Sequence, residues 1–175
     1  MIWLWLVVII IVMFFGLVAF RGAPYVPSRK LYIRQALREL YPLTNKDVLV
    51  DIGSGDGIVL REAAKIGARA IGYEINPLLV FISRFLSRKY NRVSIHLVDF
   101  WMIHLPKDTT VVYVFSVARD ISKIEKWMQN ETNRLNRQIY LISYAIELDD
   151  KKVMKNVGAY HLYMFYPLQL DEAQV

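Results

Sequence analysis

The chain of 175 residues contains no cysteine. That excludes disulfides, thiolate nucleophiles and cysteine-based metal sites. Histidine is scarce, and His96, His104 and His161 have no ligand spacing, so packing accounts for them and no metal is expected. No acid occurs before Glu39, and no charge of either sign occurs from Ile2 to Phe20. Internal repeats and low-complexity stretches are absent too, and one domain is the expectation for this length.

The uncharged stretch is the first positive feature. Its 19 residues contain one glycine. As a helix they would span about 28 Å, close to the roughly 30 Å hydrocarbon core of a bilayer. Trp3 and Trp5 lie where aromatic belts anchor such helices. A cleaved signal peptide fits poorly, because no Lys or Arg precedes the run and Leu17-Val18-Ala19 is a poor cleavage site. A core helix would not be apolar on every face in so small a domain. The stretch therefore predicts a single-pass anchor over residues 1–20. Arg21, Arg29, Lys30, Arg34 and Arg38 follow it before any acid. Positive residues stay on the cytoplasmic side, so the N-terminus is expected outside and the domain in the cytosol. The net charge of +6 suits attraction to anionic headgroups. Nucleic-acid binding is not expected, because the basic residues are spread over several elements without a known motif.

Residues 21–46 read as an extended linker, with Pro24 and Pro27, followed by a short amphipathic helix from Ser28 to Leu40. From residue 47 the pattern alternates. Strands are expected near 47–52, 69–74, 93–98, 110–115, 138–144 and 159–166, and helices near 57–67, 77–90 and 121–134. Ser122 and Glu125 have capping-box spacing, and Ile121, Ile124, Trp127 and Met128 face inward. On the helix near 77–90, Leu78, Phe81, Ile82, Phe85 and Leu86 have core spacing, opposite a solvated or membrane-facing side with Arg84, Arg88 and Lys89. The alternation implies an α/β fold, a Rossmann-like, doubly wound, mostly parallel sheet over residues 47–175. The connection Glu147 to Asn156 is short for a crossover, so the last strand is expected antiparallel.

The most informative run is Val48-Leu49-Val50-Asp51-Ile52-Gly53-Ser54-Gly55-Asp56-Gly57. An apolar strand ends in an acid, glycines follow at alternate positions, and a helix begins. Glycine permits sharp turns and close approach of a ligand to main-chain amides, and a helix N-terminus adds unpaired N–H groups and a positive dipole end. The pattern D-x-G-x-G-x-G differs from the dinucleotide fingerprint G-x-G-x-x-G. Asp51 would repel a pyrophosphate. S-adenosylmethionine (SAM) has no phosphate, a cationic ammonium, a cationic sulfonium, and a carboxylate for the loop amides. SAM is the expected cofactor, held by Asp51, Gly53, Ser54, Gly55 and Gly57.

A second acid, Glu74, ends the next strand 17 residues after Gly57. An acid about 20 residues past such a loop takes ribose hydroxyls in Rossmann-type folds. Asn76-Pro77 opens the following helix, Asn76 as cap and cofactor neighbour, Pro77 in the first turn. A third strand ends in Asp99, which suits the adenine amino group, with Phe100 against the ring. The ordered acids at strand ends point to a class I SAM-dependent methyltransferase.

On these residues the chain resembles the small, membrane-anchored class I protein-lysine methyltransferases. That family includes the mitochondrial enzymes that modify the ATP synthase c-subunit and the adenine nucleotide translocase. The matching segments are Pro24-Tyr25-Val26-Pro27, Val50 to Gly57, Gly72-Tyr73-Glu74-Ile75-Asn76-Pro77 and Asp99-Phe100-Trp101. The resemblance implies a lysine acceptor on a membrane protein at headgroup level, in a bacterial inner membrane, or a mitochondrial inner membrane for a eukaryotic source. The chain departs from the family at Phe115-Ser116-Val117-Ala118-Arg119-Asp120, where a Gly-Val-Pro-like step is usual. No Asp/Asn-Pro-Pro-Tyr motif follows strand four, against adenine or glutamine amide methylation. Tyr25, Ser116 and Tyr144 are the candidates for the acceptor channel. A lipid or quinone methyltransferase, or a non-catalytic SAM-binding membrane module, would share the anchor and cofactor loop.

Overall fold

The computed structural model describes residues 2–9, 30–115, 120–145 and 147–168. Residues 2–9 are helical and exposed. Most of the expected anchor, and the linker with Tyr25, lie outside the described residues. Among the described residues no helix is long and apolar enough to cross a membrane.

Seven strands form one sheet: β1 (Val48–Ile52), β2 (Arg69–Glu74), β3 (Val93–Leu97), β4 (Val111–Phe115), β5 (Ile139–Tyr144), β6 (Lys155–Val157) and β7 (Tyr160–Phe165). Their order is β3-β2-β1-β4-β5-β7-β6. The first five are parallel, with Val50 opposite Ile71 on one side and Val112 on the other. β7 runs antiparallel to β5, as expected, and β6 antiparallel to β7. This is the class I SAM-dependent methyltransferase fold. The chain winds outward from β1 in one direction and from β4 in the other, so the switch point lies at their carboxyl ends, where open α/β sheets bind ligands.

Alternation along the strands divides the core. Leu49, Ala70, Ile95 and Val111 pack under α1 (Lys30–Gln35), α2 (Ile58–Ile66) and α3 (Pro77–Ser87). Val50, Ile52, Val112 and Leu141 pack under α4 (Ile121–Leu135) and the turn Phe100–Met102. α1 continues as a wider helical turn over Ala36–Leu40, and its Ile33, Ala36, Leu37 and Leu40 are buried in the first layer.

Three sequence expectations are corrected. The connection before the last strand contains β6, which forms a hairpin with β7 through Gly158. Its three residues are Lys, Asn and Val, too polar and short to stand out. Ser122 and Glu125 form no capping box: the helix starts at Ile121, so Ser122 lies inside its first turn. Ser122 instead donates to Asp149 at 2.6 Å, and Glu125 accepts from the Asp150 N–H at 3.4 Å. The stripe Leu78, Phe81, Phe85 and Leu86 is exposed, while Val80, Ser83 and Ser87 face the sheet. The helix is apolar around much of its circumference, and close packing selected the face with small side chains. A Cβ on Gly57 would stand 2.1 Å from the Ser83 Oγ, so only small groups fit at that contact.

The second layer is locked by one buried acid. Glu131 of α4 accepts from the Leu105 N–H at 2.7 Å and from Arg134 at 2.7 Å, and contacts the His104 Nδ1 at 2.6 Å. Burial pushes its carboxyl up, but hydrogen bonds from Arg134, His104 and Leu105 outweigh burial and hold it below the ordinary glutamate value. A depressed carboxylate contributes stability above its unfolded pKa and loses it as pH falls through the folded one. Glu131→Gln should therefore lower unfolding free energy by about 1–3 kcal/mol at pH 7. Denaturant titrations should show the gap to wild type narrowing as pH drops below the ordinary glutamate range.

Candidate active site

The carboxyl edge of β1 and β2 carries the glycine loop. The N–H groups of Gly53 and Ser54 both donate to the Tyr73 carbonyl, at 2.9 and 3.0 Å, folding the loop back over β2. Gly53, Gly55 and Gly57 have φ of 78°, 53° and 76°, and this left-handed path is costly for a side chain. Gly72 of β2 lies beneath the loop. A Cβ there would stand 2.5 Å from Leu60 Cδ1 and 2.6 Å from Ser54 Oγ.

Glu74 holds the edge together. One carboxylate oxygen accepts from the Gly55 N–H at 2.8 Å and the other from the Asn76 N–H at 2.8 Å. It thus joins the loop to the start of α3, and it is buried. The Asn76 side chain caps α3, accepting from the Leu78 and Leu79 N–H groups at 3.0 and 3.4 Å. Arg61 braces the loop from below, donating to the Asp56 carbonyl and, at 3.2 Å, to its carboxylate. Sequence reasoning missed Arg61 and the packing role of Gly72. A glycine inside a strand was the signal for close approach; Arg61 gave none.

Asp51 is buried at the same edge, with the parity of Leu49. Burial, then the negative charges of Glu74 and Asp56, push its carboxyl well above the usual carboxylate range. Asp99 follows β3; one carboxylate oxygen caps the next turn by accepting from the Trp101 N–H at 3.1 Å. The Phe100 ring lies 4.3 Å from Trp101 and 5.8 Å from Trp127, against the second layer. Tyr144 ends β5 opposite Phe115, their rings stacked at 5.3 Å, with Tyr160 at 4.7 Å from Tyr144. Ser116 and Tyr25 lie outside the described residues. The edge therefore brings together Asp51, the loop and Glu74, with Asp99 at the end of the neighbouring β3 and Tyr144 across the switch point. Among the described residues there is no cluster able to hold a metal ion.

These groups fit SAM. A carboxylate has about four lone-pair sites, so Glu74 retains two for a diol. The N–H groups of Gly53, Ser54, Gly55 and Gly57 are taken by Tyr73, Glu74 and Ser54, so the expected role of the loop amides as carboxylate donors is not seen. The loop glycines instead let a ligand approach the main chain closely, and Asp51 is a buried acid whose ionisation a cationic ligand would favour.

A family model, the ANTKMT methyltransferase domain, matches residues 51–155. The chain belongs to this methyltransferase family. It is 35% identical over 119 residues to the ATP synthase c-subunit lysine N-methyltransferase of Xenopus laevis, covering 66% of this chain and 51% of that one. It is 33% identical over 112 residues to the adenine nucleotide translocase lysine N-methyltransferase of Mus musculus, covering 62% and 48%. The chain spans about half the length of these curated relatives. Among solved structures it is similar to an RNA methyltransferase from Salinibacter ruber in complex with S-adenosyl-L-homocysteine, with TM-score 0.72, 26% identity, and coverage of 84% of this chain and 97% of that one.

Three outcomes test the edge. Glu74→Ala leaves the Gly55 and Asn76 N–H groups unpaired and should weaken SAM binding by about 1–3 kcal/mol in calorimetry. Gly72→Ala should also weaken it by displacing Ser54, with Leu60 yielding. Asp51 yields a pH signature. A cation beside it lowers its raised pKa, so SAM binding should release protons, and affinity should rise with pH through the Asp51 titration. Calorimetry in buffers of different ionisation enthalpy reads the proton release, and Asp51→Asn should abolish it.

Proposed function

We propose that this protein is a SAM-dependent protein-lysine methyltransferase held at a membrane surface, acting on a lysine of a membrane protein near headgroup level. The observation that carries the reading is the Glu74 carboxylate joined to the Gly55 amide at the switch-point edge, in a chain of the ANTKMT methyltransferase family. Two relatives named as lysine N-methyltransferases support the acceptor class. The uncharged run Ile2 to Phe20 and the basic residues after it support the membrane placement, with the domain on the cytosolic side. A linker from Gly22 to Ser28 spans about 20–25 Å at full stretch, which keeps the domain at the bilayer. A lysine flanking a transmembrane helix reaches that depth because its stem snorkels to the interface.

In this reading Glu74 takes the ribose hydroxyls, Asp51 faces the cofactor ammonium, the glycine loop from Gly53 to Gly57 lies against its methionine moiety, and Asp99 takes the adenine amino group. SAM supplies a methyl group on a cationic sulfur. A lysine amine that had lost its proton to solvent would attack that carbon in line; the N–C bond would form as the C–S bond broke, leaving a methylammonium and the neutral thioether S-adenosylhomocysteine. Positioning supplies most of the rate. Deprotonating a lysine of pKa about 10.4 near pH 7.4 costs roughly 4 kcal/mol. Desolvation and the sulfonium charge reduce this cost. Tyr144 lines the acceptor side with Tyr25 and Ser116.

The test is methyl transfer from tritiated SAM to membranes of cells lacking the protein. Label should appear in lysine of a membrane protein and, at SAM concentrations below saturation, should fall with Glu74→Ala. Label in lipid extract or RNA, or no S-adenosylhomocysteine with any membrane fraction, would refute the reading.

A further inference from the structure

A helix packed on a sheet needs one apolar face, and α3 has two. Val80, Ser83 and Ser87 are buried against the sheet. On the outside Phe81 is 70% exposed, Phe85 57%, Leu78 47% and Leu86 43%, and Leu97, on the neighbouring edge strand, is 52% exposed. The charge around this stripe has one sign. Between Glu74 and Asp99 there is no acid, against Arg84, Arg88, Lys89 and Arg92. All four are exposed. The Arg88 guanidinium stands over the Phe85 ring at 4.3 Å, joining the basic and aromatic groups in one surface.

We infer that α3 is a second membrane contact, docking Leu78, Phe81, Phe85 and Leu86 into the interface of an anionic bilayer while Arg88, Lys89 and Arg92 meet lipid phosphates. The inference rests on the membrane-surface reading above and adds the face that does the docking. Charge complementarity selects the occupant. A second copy of this chain would bring four basic residues against four. The run Ile2 to Phe20 is uncharged and offers the basic residues nothing. An anionic headgroup layer over hydrocarbon satisfies both parts of the surface, the combination by which interfacial amphipathic helices bind. Long basic side chains reach up to phosphates while aromatic rings sit below them. The placement has a consequence for the site. α3 starts at Pro77, three residues after Glu74, so Leu78 in its first turn lies beside the cofactor edge. Docking would hold that edge at the headgroups independently of the linker's slack.

The absence of cysteine permits a clean test on the full chain. Phe81→Cys, Phe85→Cys and, on exposed α4 surface, Lys126→Cys would each carry an environment-sensitive nitrobenzoxadiazole label. The proteins would be reconstituted in vesicles of phosphatidylcholine, with or without phosphatidylglycerol. On anionic vesicles the labels at 81 and 85 should shift to the blue and be quenched by brominated lipids, and the label at 126 should not. Adding Arg88→Glu and Lys89→Glu should remove the shift at 85. Water-like emission at 85 on floated anionic vesicles overturns the inference. So does a shift equal on phosphatidylcholine alone, or one that grows with protein density and marks a second copy. Assaying the labelled chain with tritiated SAM separates the two readings. A water-like label with lysine methylation of membrane protein intact overturns the docking alone. An inserted label with methyl transfer confined to soluble proteins overturns the proposed function and leaves the docking standing.

Discussion

The Glu74 carboxylate is the joint on which the candidate site depends. It sits at the end of β2 and accepts one N–H from the loop after β1 and one from the start of α3. The loop, 19 residues away along the chain, and the adjoining start of α3 share one buried anion. Charge-assisted hydrogen bonds are roughly twice as strong as neutral ones, and these two use groups that would otherwise be unpaired. A loop path with three left-handed glycines has an entropic cost, and Glu74 offsets part of it. The carboxylate orders the loop while keeping lone pairs for a ligand.

Close approach is the second constraint. Gly72 lets Ser54 and Leu60 lie on β2, and Gly57 lets Ser83 of α3 come in. The Oγ atoms of Ser54 and Ser83 are buried without a hydrogen-bond partner among the described residues. Both serines are small where packing leaves room for little else. The cofactor edge is shaped by what is missing from these positions as much as by the acids around them.

The sheet was largely legible from sequence. Parallel strands buried on both faces read as short apolar runs, and β1, β2 and β4 lie within a residue or two of expectation. The positions of Asp51, Glu74 and Asp99 at the carboxyl ends of β1, β2 and β3 were legible because each acid closes an apolar run. Pairing and packing were less legible. β6 exists because β7 offers it hydrogen bonds, not because Lys155-Asn156-Val157 favours a strand. The buried face of α3 was misread because Leu and Phe outweigh Val and Ser in any periodicity, whereas the contact with Gly57 admits only the small residues. Ser122 and Glu125 had the spacing of a cap, yet the helix starts two residues earlier than that cap requires, and both side chains go to the loop at Asp149 and Asp150.

The hairpin of β6 and β7 also bears on solubility. A sheet ends in rows of unpaired main-chain groups, which invite strand addition from another molecule. Here one end is three residues long, and its Lys155 reaches across to the Glu39 carbonyl on the turn after α1. The other end, β3, is short, follows Arg92 and presents Ser94 and His96 to solvent. Both borders are blunt templates. Such borders oppose fibre-like growth while the flat faces of the sheet remain covered.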